Sequence, residues 1–127
     1  MLAVDTNVLV RLLARDDTDQ TKAAEAFISK GAWVSHLVLA ETLWVLDSVY
    51  DLSRAQIATA LEMLLNHREL SLQDADVVTA ALGHYRQRST VDFSDCLVLE
   101  IARKAGHLPV GTIDRNFAKL EDVQRLG

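Results

Sequence analysis

The sequence predicts an α/β fold, a three-layer α/β/α sandwich with a central, mostly parallel sheet. Short apolar runs alternate with longer segments of helical periodicity along all 127 residues. Strands separated by helices of this length are joined by right-handed crossovers, which makes neighbouring strands parallel. No repeat, low-complexity tract or linker interrupts the alternation. A chain of this length predicts one domain, residues 1–127.

In the first half of the chain, short apolar runs predict strands and segments with apolar residues at helical spacing predict helices. The strands are predicted at residues 2–4, 32–34 and 69–72, and the helices at residues 7–14, 19–30, 37–50 and from 53 onward. We expect Thr18 to cap the second helix and Gly31 to end it. Ser53 and Gln56 have the spacing of a capping box.

The second half predicts two longer helices followed by short elements. Asp74 is expected to cap a helix that runs to about residue 88. Asp92 is expected to cap a nearly all-apolar, buried helix that ends before Gly106. A strand at residues 109–113, a helical turn from Asn116 and an edge strand near Val123 complete the prediction.

Composition narrows the functional classes. With one cysteine, the chain has neither a disulfide framework nor a multi-cysteine zinc site, which is typical of a reducing cytosol. The first residues have no basic region, so we expect no signal peptide, and no apolar run approaches the ~20 residues of a membrane span. The net charge of −5 taken alone argues against a nucleic-acid partner, because such proteins usually have a basic face.

Two aspartates follow predicted strands directly. Asp5 ends the first apolar run and Asp114 ends the run at residues 110–113, and each precedes a helix start. One interpretation is that both are helix caps. However, ligands of parallel α/β sheets bind at the carboxyl ends of the strands, so two acids at such ends also indicate a functional site.

Glu41 lies within an apolar helical segment. At helical spacing it shares a face with Leu37 and Trp44, where a carboxylate is costly unless it is paired or binds a metal. A buried salt bridge is the structural alternative, but residues 31–53 contain no lysine or arginine, so the partner would be distant in sequence. We favour a metal or a shared acidic site.

A fourth acidic position opens the predicted helix after residue 91. Asp92 is interpreted as a cap or a supporting residue, and Asp95, in the first turn, as a site residue. Four carboxylates at one sheet edge cannot all stay ionised without a cation, and hard oxygen ligands favour Mg²⁺ or Mn²⁺. The four histidines have no paired ligand spacing.

The ordered set of these motifs resembles PIN-domain proteins, specifically the VapC-type toxins of VapBC toxin–antitoxin pairs. The motifs are Val4-Asp5-Thr6-Asn7, Glu41 in an apolar helix, Asp92-Phe93-Ser94-Asp95, and Thr112-Ile113-Asp114-Arg115-Asn116-Phe117. Ile113 departs from the family, which often has phenylalanine there. The resemblance implies a cytoplasmic endoribonuclease that depends on Mg²⁺ or Mn²⁺ and hydrolyses RNA phosphodiester bonds.

The resemblance also implies roles for individual residues and partners. The acidic pocket consists of Asp5, Glu41, Asp95 and Asp114, of which Asp5, Asp95 and Asp114 are metal ligands; Asp92, Thr112, Asn7 and Asn116 support them. Arg115, Arg11 and Arg15 are candidate RNA contacts, with a solvated helix face as the alternative. The implied partners are an RNA substrate, often tRNA in this family, a cognate antitoxin and a second copy in a homodimer.

Two other functions remain open. A phosphatase of the haloacid dehalogenase kind also begins with an aspartate after its first strand, but it needs a second aspartate where this chain has Asn7. A PIN-like module that only binds RNA or protein is the non-enzymatic alternative.

If the four proposed acids are set aside, the chain has 14 acidic and 13 basic residues. The acidic balance therefore no longer excludes RNA, provided that the attraction is local and assisted by metal.

Overall fold

The computed structural model describes residues 1–127 and contains six α-helices and five short strands. Two helices separate each strand from the next as far as the fourth strand, and a 3-10 helix precedes the fifth. The residues form two units, Met1–Ala75 and Asp76–Gly127. All strand pairs are parallel. None of the helices has the length and apolar content that crossing a membrane requires.

The first unit contains a three-stranded sheet with strand order β1-β2-β3. Its elements are β1 (Leu2–Ala3), α1 (Thr6–Ala14), α2 (Thr18–Ile28), β2 (Ala32–Val34), α3 (His36–Ser48), α4 (Arg54–Asn66) and β3 (Leu70–Leu72). In the register, Ala3 pairs with Trp33, and Trp33 pairs with Ser71. Because the strands are parallel, α1 and α3 both begin at the carboxyl ends of the strands, on the same side of this sheet.

The core of the first unit is aliphatic. Side chains from every one of its helices are almost completely withdrawn from solvent; they include Leu9, Ile28, Leu39, Leu46 and Leu61. Burial of such side chains contributes roughly 1.5–3 kcal/mol each, so this core anchors the loops that follow β1 and β2.

The second unit contains α5 (Ala75–Gln87), α6 (Phe93–Ala105), β4 (Val110–Thr112), a 3-10 helix (Phe117–Lys119) and β5 (Val123–Arg125). β4 and β5 pair in a two-stranded sheet. Tyr85 and Phe93 contact each other edge to face, with ring centroids 5.9 Å apart. Glu100 is buried, and its carboxylate bonds the His84 ring at 2.9 Å and the Arg103 guanidinium at 3.2 Å.

The predicted α/β class with parallel strands is confirmed, and the predicted elements are all present within about two residues. The strands pair in two sheets, where the sequence had predicted one. The capping box is confirmed, since Ser53 Oγ accepts from Gln56 N at 3.2 Å and Gln56 Oε1 accepts from Ser53 N at 2.9 Å. Gly106 ends α6 with a left-handed backbone, φ 85°.

One predicted cap is wrong. Asp17, not Thr18, caps α2, and its Oδ1 accepts a hydrogen bond from Gln20 N at 3.0 Å. A carboxylate caps as well as a hydroxyl does and also interacts favourably with the partial positive charge of a helix N-terminus. Thr18 is therefore the first residue of the helix.

Two predicted burial patterns are also wrong. In α3, Leu37 and Trp44 are exposed, at 69% and 66%, and the buried face instead contains Leu39, Thr42, Leu43 and Leu46. In α6, Val98 and Ile101 are exposed while Glu100 is buried. Both helices carry apolar residues on several faces, so the spacing of apolar residues does not indicate which face is buried.

Candidate active site

Asp5 lies at the carboxyl end of β1 and is exposed. Its backbone is extended, and its Oδ1 accepts a hydrogen bond from Val8 N at 3.2 Å, so it caps α1. The prediction that Asp5 caps a helix is therefore confirmed. The bond engages one carboxylate oxygen only and holds the side chain at the sheet edge where parallel α/β folds bind their ligands.

Glu41 is exposed on α3, on the outward face that also carries Leu37 and Trp44. Its Oε2 accepts a hydrogen bond from Thr6 Oγ1 at 2.8 Å. The predicted burial of this carboxylate is therefore wrong, and the buried salt bridge is absent, because the partner is a hydroxyl. This bond joins Glu41 to the residue that follows Asp5.

Thr6 is the residue near the site that the sequence analysis missed. A threonine beside an aspartate at a helix start has many structural uses, and nothing in the sequence pairs it with a residue 35 positions away. The only signal was its position between two residues of the candidate site, Asp5 and Asn7. Asn7 is exposed on the first turn of α1.

Asp92 and Asp95 lie at the start of α6. Asp92 occupies the N-cap position as predicted, but its side chain makes no capping bond. Asp95 is in the first turn and half-buried. Partial burial raises the pKa of the Asp95 carboxyl above its ordinary value, and the negative charges of Asp92 and Asp114 raise it further. The charges of Asp92 and Asp114 therefore both repel an ionised Asp95.

Asp114 follows β4 and is held by the backbone around it. Its Oδ1 accepts hydrogen bonds from Asn116 N at 2.7 Å and Phe117 N at 3.2 Å, while its own N–H donates to Thr112 Oγ1 at 3.0 Å. Asn116 precedes the 3-10 helix, and its side chain makes no capping bond. The hydroxyl of Thr112 and the following turn thus fix the direction of the Asp114 carboxylate.

The donor set fits a hard divalent cation chemically. Asp95 sits in the field of two further carboxylates, and a cation would relieve that repulsion. Carboxylate oxygens are the ligands that Mg²⁺ and Mn²⁺ prefer. No group of three or more Asp, Glu, His or Cys side chains is already arranged to hold a metal ion. Of the candidate metal ligands, Asp5 belongs to the first unit, and Asp95 and Asp114 belong to the second.

The three candidate RNA-binding arginines differ in their partners. Arg11 pairs with Asp16 at 3.0 Å, and Arg15 pairs with Glu25 at 2.9 Å. Arg115 is exposed and makes no ion pair. The charges of Arg11 and Arg15 are therefore partly offset within the first unit, whereas that of Arg115, next to Asp114, is available.

Comparison with known proteins assigns the chain to a family. A protein-family model described as PIN domain matches residues 2–123. No curated protein matches the chain. The match spans Asp5, Glu41, Asp95 and Asp114 and agrees with the α/β sandwich that the sequence predicted. With 122 of its 127 residues covered, the chain belongs to the PIN-domain family, whose members are generally metal-dependent nucleases.

Proposed function

We propose that this chain is an endoribonuclease that requires Mg²⁺ or Mn²⁺ and hydrolyses phosphodiester bonds in RNA. The observation that carries the proposal is the repulsion of Asp95 by the charges of Asp92 and Asp114 in a chain of the PIN-domain family. Repulsion between carboxylates destabilises the folded state, and a cation that relieves this repulsion binds more tightly because of it. Asp5, Glu41, Asp95 and Asp114 are the acids of this activity in our proposal.

Asp5, Asp95 and Asp114 act as the metal ligands in this proposal. Mg²⁺ or Mn²⁺, when bound, neutralises charge on the phosphodiester and makes water a better nucleophile. The contacts of Asp114 support its role, because Asn116 N and Phe117 N donate hydrogen bonds to its Oδ1 and the bond from its own N–H to Thr112 Oγ1 holds its backbone, all before any cation binds. Asp92 adds negative charge beside Asp95, which favours a cation there, and the Asp92 carboxylate itself makes no capping bond.

Glu41 orients the attacking water in this proposal. The carboxylate is exposed, and the Thr6 hydroxyl holds one of its oxygens, which leaves the other to accept a hydrogen bond from water. Thr6 therefore sets the direction of Glu41. Asn7 and Asn116 offer amide groups beside Asp5 and Asp114 and support the orientation of substrate or water.

The proposal extends to the biological context of the chain. We propose a cytoplasmic toxin of a VapBC pair, with the single domain 1–127 acting as a homodimer and a cognate antitoxin blocking the acids. The motifs that resemble VapC-type toxins support this proposal, and the family match supports its PIN-domain part. The RNA substrate, tRNA in the first instance, would contact Arg115, the unpaired cation next to Asp114. Arg11 and Arg15 contribute weaker contacts because each already has an acidic partner.

The test is cleavage of total RNA by the purified chain, free of any partner, with Mg²⁺ and with excess chelator. We expect cleavage that needs Mg²⁺ and that falls at least about 100-fold in Asp114→Asn, since a bound metal supplies several kcal/mol of charge stabilisation. Asp47→Asn removes an exposed acid of α3 with no role in the site and should cleave normally. Cleavage that ignores both the chelator and Asp114 would overturn the mechanism.

The same preparations decide between the proposed function and the two alternatives. Hydrolysis of p-nitrophenyl phosphate without RNA cleavage would favour the phosphatase, which the asparagine at position 7 argues against. Metal-independent RNA binding without any hydrolysis would favour the non-catalytic module.

A further inference from the structure

A cavity of about 570 Å³ lies between α1 and α2 in the first unit. Asp5, Asn7 and Arg11 line it from the side of α1, and Gln20 and Phe27 line it from α2. Its volume falls within the range of about 300–1,000 Å³ that is typical of small-molecule sites. Asp5 is also a proposed metal ligand, so the cavity adjoins one acid of the proposed site.

One part of the cavity wall is apolar. Phe27 is 45% exposed although it is a large aromatic residue, and it has no aromatic partner in the structure. Ala23 and Ala24, the small residues one helical turn before it, continue this wall. An exposed aromatic ring at a cavity is a group on which nucleobases can stack, and such stacking tolerates any base.

The other part of the wall is polar and partly fixed. The Arg11 Nε donates a hydrogen bond to Gln20 Oε1, which orients the Gln20 amide and leaves its NH₂ group as a donor. Asp16 and the Tyr50 hydroxyl hold the same guanidinium at 3.0 and 3.3 Å. Asn7 adds a second, exposed amide. Amide groups are suited to hydrogen bonds with the edges of unpaired bases.

We propose that this cavity binds one nucleobase of single-stranded RNA, stacked on Phe27, next to the phosphodiester that the chain cleaves. The proposal rests on the proposed function, because it places the base beside Asp5. The base that binds is unpaired, since a base stacked within a duplex cannot enter the cavity.

The test is binding of a fluorescent single-stranded oligouridine to the Asp95→Asn variant, in which cleavage is suppressed. We expect Phe27→Ala to weaken binding about 5- to 100-fold, as removal of an aromatic stacking partner does, and Phe27→Trp to preserve it. Met63→Ala, at an exposed apolar side chain of α4, is the matched control and should bind normally. Circular dichroism melts verify that each variant is folded.

An abasic oligonucleotide of the same length separates base binding from attraction to the backbone. The chain with Phe27 should bind it more weakly than oligouridine, whereas Phe27→Ala should bind both about equally. The proposal would be overturned if Phe27→Ala bound oligouridine as tightly as the Asp95→Asn chain with Phe27 does. It would also be overturned if the chain with Phe27 showed no preference for oligouridine over the abasic strand. Metal-dependent cleavage that persists in either case would leave the proposed function intact. Phe27-dependent binding without any cleavage by the unmodified chain would support the base-binding cavity and contradict the proposed nuclease function.

Discussion

Glu41 in the first unit and Asp95 in the second are held in opposite ways. In the first unit, Asp5 and Glu41 each accept a hydrogen bond from a neutral donor, Val8 N and the Thr6 hydroxyl respectively. In the second unit, Asp95 faces the charges of Asp92 and Asp114, and its pKa is raised by burial and by that repulsion. The first unit therefore supplies acids that are oriented before any ligand binds. The second unit supplies one such acid, Asp114, and also Asp95, whose repulsion by its neighbours favours a cation.

The first and larger predicted effect concerns the Thr6–Glu41 hydrogen bond of the first unit and the rate of RNA cleavage. Thr6→Val removes the hydroxyl that orients Glu41 and should lower kcat for RNA cleavage about tenfold with little change in KM. A hydrogen bond to a charged group contributes about 1.5–3 kcal/mol, less when it is exposed, and 1.4 kcal/mol corresponds to a factor of ten in rate. Single-turnover cleavage of an RNA oligonucleotide measures the effect.

Two variants make the Thr6 result specific. Thr6→Ser keeps the hydroxyl and should restore most of the rate. Thr59→Val removes an exposed threonine hydroxyl of α4, which bonds only Ala55 O at 3.0 Å, and should leave cleavage unchanged. An unaltered kcat in Thr6→Val would mean that the Thr6–Glu41 bond does not orient a group that takes part in the reaction.

The smaller effect concerns the second unit and appears in the pH dependence of stability without divalent metal. The pKa of Asp95 is raised in the folded chain, so the folded state binds more protons between that pKa and the ordinary value of about 3.9. Ionised Asp95 therefore destabilises the fold at neutral pH, and this penalty is relieved as the pH falls through that window. Solvent screening of the half-buried group keeps the effect small.

The measurement is the free energy of unfolding by urea between pH 4 and pH 7, compared between the parent chain and Asp95→Asn. The comparison is needed because Asp16 and Asp76 have lowered pKa values, caused first by hydrogen bonds from Tyr50 and Lys104, and they change stability in the opposite direction. Asp95→Asn should gain stability relative to the parent at pH 7 and lose that advantage near pH 4. A constant difference across this range would contradict the raised pKa of Asp95.

Much of the site could be predicted from sequence because its signals are local. Asp5 and Asp114 directly follow short apolar runs, and the strand ends of an α/β fold are where ligands bind. Asp92 and Asp95 precede a helix whose start and end are both marked, the latter by Gly106. Each of these inferences needs only a few neighbouring residues.

The remaining features depend on contacts that sequence spacing does not encode. The α3 helix is apolar on several faces, so its periodicity could not reveal that Glu41 is exposed beside Trp44. The bond from Thr6 to Glu41 joins residues 35 positions apart. The cavity next to Asp5 depends on how α1 packs against α2, so that Phe27 and Asn7 line the same space. Likewise, helical periodicity does not specify whether five short parallel strands form one sheet or two.

The central claim is that the acids of the second unit bind the divalent cation, and metal titration tests it most directly. Isothermal titration of the partner-free chain with Mn²⁺ should give a saturable site whose affinity falls at least about tenfold in Asp95→Asn, because second-sphere and ligand changes typically cost 10–100-fold. Asp47→Asn should bind Mn²⁺ as the parent does. Equal Mn²⁺ affinity in the parent and Asp95→Asn would contradict the account.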